Sequence, residues 1–164
     1  MRTSRSWNCY NAQVAVSEDG VIVATGMTDS PLDVQQLVPM VEAVKQTTKR
    51  KLGVVVADTG YLSEANLRQL RAKRQRCLVA VRGRKPRAWP SGRQTQRMHR
   101  ILRLPWAKKI YDHRKTQGER PFAEIKQTMR FRRFSLRGRA NIRGEWDLVC
   151  AAANLLHLHR AQTA

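Results

Sequence analysis

Four apolar residues in a row, Val54-Val55-Val56-Ala57, stand between Gly53 and Asp58. A run of that length bounded by turn chemistry is typical of a strand buried on both faces, and such strands belong to sheets covered by helices. The neighbouring segments agree. Residues 10–16 (Tyr-Asn-Ala-Gln-Val-Ala-Val) alternate like a strand, Ser17-Glu18-Asp19-Gly20 is turn chemistry, and residues 21–27 make the return strand of a hairpin. Ser30 and Pro31 predict a helix start, with Ser30 as N-cap and Pro31 at the first helical position. Leu37, Met40, Val41 and Val44 then give that helix one apolar face. Ser63 caps a second helix carrying Leu67 and Leu70, and residues 77–81 form another short strand. The order β-β-α-β-α-β specifies an α/β domain with a mixed sheet.

The rest of the chain reads differently. Residues 82–100 lack periodicity and carry Gly83, Pro86, Pro90 and Gly92 among Arg and Lys, so the stretch 82–104 is expected to be a basic loop. From Pro105 onward the pattern is helical. Ile142, Trp146, Val149, Ala153 and Leu156 step by four, three, four and three, which marks an amphipathic helix whose stripe belongs to the core. The length of 164 residues, 41% of them hydrophobic, suits one domain spanning 1–164. No apolar run approaches the roughly 20 residues a bilayer needs, and no apolar stretch follows the basic amino terminus as in a signal peptide. Cys9, Cys77 and Cys150 are odd in number and lack a C-x-x-C pair, which argues against structural disulfides or zinc and fits a reducing cytoplasm.

Charge is segregated along the chain. Residues 1–67 hold six basic and seven acidic side chains, residues 68–115 hold seventeen basic and only Asp112 acidic, and residues 116–164 hold nine basic and four acidic. A solvated surface interleaves both signs, so a block of net +16 within a chain of net +20 points to a polyanionic partner, with nucleic acid first.

Two local patterns carry chemistry. Asp58 falls at the carboxyl end of the 54–57 strand, with Gly60 behind it to turn the backbone away. Ligands of open α/β sheets collect beyond the carboxyl ends of strands, so a carboxylate there is placed to hold a divalent metal. An ordinary turn aspartate is the other reading the residues allow. The second pattern is Tyr111-x-x-Arg114 followed by Glu119 and Lys126. Seven residues separate the last two, so on a continuous helix they share a face, although Pro121 predicts a helix start or bend near Glu119. Taken alone, this is equally an amphipathic helix with scattered charge.

Asp58-Thr-Gly-Tyr, then Tyr111-x-x-Arg114 and Glu119-Arg-Pro-Phe-x-x-Ile-Lys126, then Phe131-Arg-Arg-Phe-x-x-Arg137-Gly, together resemble bacterial insertion-sequence DDE transposases with a Y-R-E-K signature. Tyr10-Asn-Ala-Gln-Val-Ala-Val and Arg143-Gly-Glu-Trp…Ala153-Asn-Leu-Leu extend the resemblance over roughly residues 7–158. It implies a ribonuclease-H-like fold in which three carboxylates hold two divalent ions, Mg2+ or Mn2+. Asp58 matches the family's second aspartate and Glu119 its glutamate, whereas Glu124 falls where the family is often uncharged. Tyr111, Arg114 and Lys126 match residues thought to contact the DNA strand end. The basic stretch adds Arg82, Arg84, Lys85 and Arg87 as DNA contacts. The resemblance also implies insertion-sequence ends and target DNA as partners, a homodimer of the full-length protein, no membrane, and a bacterial cytoplasm where the protein is associated with the nucleoid.

One feature departs from the family. Its first aspartate belongs on a strand before Tyr10, yet only nine residues precede Tyr10 and none is acidic. The sequence therefore predicts the C-terminal part of a transposase catalytic domain, truncated at its N-terminus, whose sheet lacks that strand and leaves edges unpaired. Metal-dependent cleavage and strand transfer are expected of the full-length protein, and little or no transposase activity of this fragment alone. Asp29 and Asp33 read as helix-start caps rather than substitutes. A non-catalytic basic DNA-binding remnant, or an inhibitor of transposition, is the alternative function. An RNA binder fits the charge but leaves Asp58 and Glu119 unexplained. Contacts by this chain are expected to be mostly to the DNA backbone and weakly sequence-selective. Trp89 and Trp106 flank the basic stretch and are read as packed residues, with base stacking second. His157 and His159 are placed near a helix end where cations suit the dipole.

Overall fold

The computed structural model describes residues 10–81 and 92–163, with backbone alone at 115 and 116. Strands β1 (Asn11–Val16) and β2 (Ile22–Thr28) form an antiparallel hairpin in which Val14 faces Thr25, with a register shift at Ala15/Val16. Gly20 closes its turn at φ +85°, a left-handed conformation that glycine adopts without steric cost. A 3-10 turn at Asp33–Gln35 leads into α1 (Leu37–Thr48), followed by β3 (Val54–Ala57) and a second 3-10 turn at Thr59–Tyr61. Helix α2 (Glu64–Ala72) connects to β4 (Arg76–Val79), which pairs parallel with β3. Then come α3 (Arg93–Ile101), α4 (Pro105–Ala123), a π-helical turn at Glu124–Thr128, and α5 (Arg139–Thr163). The described strands make two two-stranded sheets in a mixed α/β arrangement.

Local signals placed most elements correctly. Ser63 accepts the Asn66 amide at 3.0 Å and caps α2, and Pro105 occupies the first turn of α4. Four readings change. The helix expected at Ser30 starts at Leu37, because Ser30 Oγ instead accepts the Leu32 amide in a tight turn. Asp33 is not a cap: its Oδ1 takes the side-chain amides of Asn11 at 2.6 Å and Gln13 at 2.9 Å. Within β3 only Ala57 is buried and the three valines are half-buried, since β4 is its one strand partner among the described residues. The supposed loop 82–104 contains helix α3. Its first amides, from Gln94 and Thr95, are accepted by the Glu64 carboxylate at 2.8 and 3.0 Å. A carboxylate from another helix thus supplies the cap that residues 82–92 do not advertise. A Cβ on Gly92 would fall 2.2 Å from Glu64 Oε2, so the chain needs glycine to let this carboxylate in.

Two apolar clusters hold the fold. One joins α1, β3, β4, α2, α3 and α4 through Leu37, Val41, Leu70, Leu78, Met98 and Ala107. Leu70 and Leu78 are fully buried, and each contributes roughly 1.5–3 kcal/mol of transfer free energy. The other packs the hairpin and the π-helical turn onto α5 through Ile22, Met27, Ile125, Ile142, Trp146, Cys150 and Ala153. Trp146, 3% exposed, stacks on Phe122, meets Phe134 edge-on and donates its indole N–H to the Gln13 carbonyl at 3.1 Å. Asn154 clamps the hairpin edge, accepting the Ile22 amide and donating to the Ile22 carbonyl, both at 2.8 Å. His157 Nε2 sits 2.8 Å from the Asp19 carbonyl, so its place is set by the hairpin turn rather than the end of α5.

Candidate carboxylate and nucleic-acid site

Asp58 follows the last residue of β3, where the strand's parallel partner ends at Val79. Its backbone is extended, and Oδ1 accepts the Thr59 amide at 2.7 Å, which starts the 3-10 turn and fixes one carboxylate oxygen. Oδ2 is left for a partner, and Asp58 is 61% exposed. That partner is Arg114, whose Nη1 lies 3.6 Å away.

Helix α4 brings Arg114 there. Ala107 is buried in the core, and the half-buried Tyr111 and Arg114 continue the same face at helical spacing. The Arg114 guanidinium lies 5.2 Å from the centre of the Tyr111 ring, a cation–π contact that holds the fork over the site. Arg114 Nε is buried without a hydrogen-bond partner among the described residues. Burial raises the Tyr111 hydroxyl above its ordinary pKa; the Arg114 charge works against that and the Asp58 charge adds to it.

Asp33 approaches the turn that follows Asp58. A Cβ on Gly60 would fall 3.1 Å from Asp33 Oδ2, so glycine lets the two 3-10 turns meet closely. Tyr61 feels both acids: burial first, then the negative charges of Asp33 and Asp58, push its hydroxyl up to about 12. Sequence reasoning missed these roles of Tyr61 and Asp33. The signal for Tyr61 was its place in the Asp-Thr-Gly-Tyr run, whereas Asp33 gave none beyond its charge.

Glu119 and Lys126 stand apart from this contact. Both are exposed. Five residues separate Glu119 from Arg114, which turns it about 140° round a regular helix. Helix α4 runs through Pro121 and passes into the π-helical turn at Glu124, so the seven-residue spacing of Glu119 and Lys126 no longer stacks them as a regular helix would. Glu124 pairs with Arg160 of α5. Arg82, Arg84, Lys85, Arg87 and Trp89 lie outside the described residues, and Trp106 is 46% exposed at the start of α4, so packing accounts for only part of its surface.

The profile of the transposase DDE domain family matches residues 1–155. The chain belongs to this family. No curated protein and no solved structure matched it. DNA transposition is the function that membership carries, with DNA as the partner. No helix among the described residues is long and apolar enough to cross a membrane.

Transposase domains of this family generally use divalent metal ions. Among the described residues, no three His, Cys, Asp or Glu side chains are grouped to hold one. Asp58 faces Arg114, and Glu119 lies about 140° round α4 from Arg114, so among the described residues the two carboxylates are not joined with a third ligand in one metal site. Cys77 and Cys150 are free thiols that burial pushes up to about 11 and about 12, which keeps them protonated at neutral pH.

Proposed function

We propose that this transposase domain handles insertion-sequence DNA through the face where β3 ends against α4, with Asp58 and Glu119 as the carboxylates of cleavage and strand transfer. The observation that carries the reading is the convergence of Tyr111 and Arg114 on Asp58. Arg114 presents a planar donor fork suited to a phosphate, and Tyr111 keeps that fork oriented. Together they would hold a scissile phosphodiester against Asp58, and positioning of this kind supplies much of a phosphoryl-transfer rate. Lys126, with Arg82, Arg84, Lys85 and Arg87, would add backbone contacts along the strand. Carboxylates are the hard oxygen donors that Mg2+ or Mn2+ prefers. The described residues do not by themselves assemble the ligand set such an ion would need. The ribonuclease-H-like fold and the Y-R-E-K grouping belong to the same proposal and rest on the order of the motifs.

A second reading rests on the concentration of charge: a block of net +16 at residues 68–115 also suits a basic domain that binds DNA without cutting it, as a remnant or an inhibitor. One experiment separates the two. The chain is incubated with a labelled element-end duplex in Mn2+ or Mg2+, beside Asp58→Asn and Glu119→Gln. Nicking or joining that both substitutions abolish supports the enzyme. Equal DNA binding by all three proteins, unaffected by divalent ions and without cleavage, supports the binder.

A further inference from the structure

Helix α3 carries a charge pattern that the candidate site does not use. Arg93, Arg97 and Arg100 are spaced by four and three, so they occupy one stripe about 60° wide. All three are exposed, whereas Met98 points into the core and Ile101 packs against it. None of the three is ion-paired with a described carboxylate. A solvated helix face ordinarily mixes signs, and this helix contains no acid at all.

The placement of the stripe gives it a direction. Glu64 accepts the amides of Gln94 and Thr95 and the Thr95 hydroxyl, which fixes the first turn of α3 against the first turn of α2. Those backbone bonds hold the Glu64 carboxyl below the usual carboxylate range, so the clamp is ionised at neutral pH. Glu64 follows Asp58 by six residues, a reach of at most about 20 Å. The start of α2 is further tied to the turn after Asp58, because the Asn66 side-chain amide donates to the Tyr61 carbonyl at 2.9 Å. Through Glu64 and Asn66 the near end of the arginine stripe is thus tied to the turn that follows Asp58, and the stripe extends about 10 Å along α3.

We propose that Arg93, Arg97 and Arg100 form a track for the nucleic-acid backbone that leads duplex DNA to Asp58, with Glu64 as the strut holding its near end. The inference rests on the reading that this domain handles DNA, and deepens it by naming a docking surface on α3. Three guanidinium groups along one stripe suit successive phosphates of one strand. They read charge and spacing rather than base edges, so the track is sequence-tolerant.

The test is a fluorescence-anisotropy titration of a 25-base-pair duplex from 50 to 300 mM salt. It compares the full chain with Arg93→Gln/Arg97→Gln/Arg100→Gln and with Lys49→Gln/Arg50→Gln/Lys51→Gln. The second set removes the same charge just before β3, at the opposite end of that strand from Asp58. Each lost phosphate contact lowers the slope of log affinity against log salt by about 0.9. The track variant should lose close to three units of slope and on the order of 100-fold in affinity at 0.15 M salt. Arg97→Gln alone should lose about one unit, and the control set should stay near wild type. All substituted side chains are exposed, so the thermal midpoint should hold throughout. Equal losses in the track and control sets would overturn the inference while leaving DNA handling intact. Displacement of the duplex by A-form RNA at lower concentration would overturn the choice of DNA. If wild type itself binds no duplex, the track falls together with the reading beneath it.

Discussion

Arg114 Nη1 stands 3.6 Å from Asp58 Oδ2, and the same guanidinium rests against the Tyr111 ring. Asp58 is mostly exposed, so solvent screens the pair and its contribution to stability is on the order of 0–1 kcal/mol. An arginine that adds so little to the fold yet faces the one acid at the strand end is better explained by what it holds than by what it stabilises.

Arg114→Gln should accordingly shift the thermal midpoint by no more than a few degrees, while DNA affinity drops by about 5- to 10-fold and the salt slope falls by about one unit. Arg114→Lys keeps the charge and loses the planar fork, so it should recover the slope but not the full affinity. Circular dichroism melts beside salt-dependent binding curves decide the matter. A large melt shift with unaltered binding would assign Arg114 to structure.

Tyr61 offers a spectroscopic view of the same place. Its hydroxyl is pushed up to about 12 by burial and then by Asp33 and Asp58. A folded-state pKa raised above the ordinary 10 means the protonated phenol is favoured by folding. The stability it contributes is fully present below pH 10 and is lost as pH rises through 12. Alkaline titration followed by phenolate absorbance should show one of the three tyrosines ionising last, and Tyr61→Phe should remove that late step. Asp58→Asn should move it partway back, because burial is the larger cause. A late step that survives Tyr61→Phe would mean the burial or the charges are misassigned.

The hairpin depends on α5 through contacts that can be deleted singly. Asn154→Ala removes both partners of the Ile22 backbone, leaving an amide and a carbonyl unpaired at a part-buried edge, at a cost of about 2–3 kcal/mol. Trp146→Ala opens a cavity beside Phe122 and Phe134 and strands the Gln13 carbonyl, and should cost about 3–5 kcal/mol or prevent folding. Trp146→Phe keeps most of the volume and should cost less. Denaturant unfolding gives each value, and an Asn154→Ala midpoint equal to wild type would show that the clamp is not formed in solution.

What was legible in the sequence was local. The hairpin, the Ser63 cap and the Trp146 stripe each rest on signals within a few residues, and each lies where those signals put it. Cys150, four residues after Trp146, belongs to the same buried stripe, where its thiol packs as a small apolar group. The misreadings share one cause: the deciding partner is distant in the chain. Helix α3 is capped by Glu64, thirty residues earlier, and its Met98 face was hidden among arginines. Asp33 answers to Asn11 and Gln13 rather than to its own helix. At the site, spacing linked Arg114 to Tyr111 correctly, but it could not give the direction of Glu119, which depends on how α4 rolls against β3.

Glu64 carries the last prediction, because its charge connects α2 to α3. The Gln94 amide is the first cause that holds its carboxyl below 4.5, and the Thr95 amide and hydroxyl add to it. A lowered folded-state pKa stabilises the fold above the unfolded value and loses that contribution as pH falls through the folded value. Wild type should therefore lose stability progressively below pH 4.5, with α3 loosening before the hairpin core. Glu64→Gln can still accept through its carbonyl oxygen but lacks the charge, so it should be less stable than wild type at pH 7 and converge with it in acid. Backbone amide exchange at Gln94 and Thr95, measured at pH 7 and pH 4, reports this locally. Protection there that is unchanged by Glu64→Gln would show that α3 stands without its strut, and the arginine track would then need another anchor.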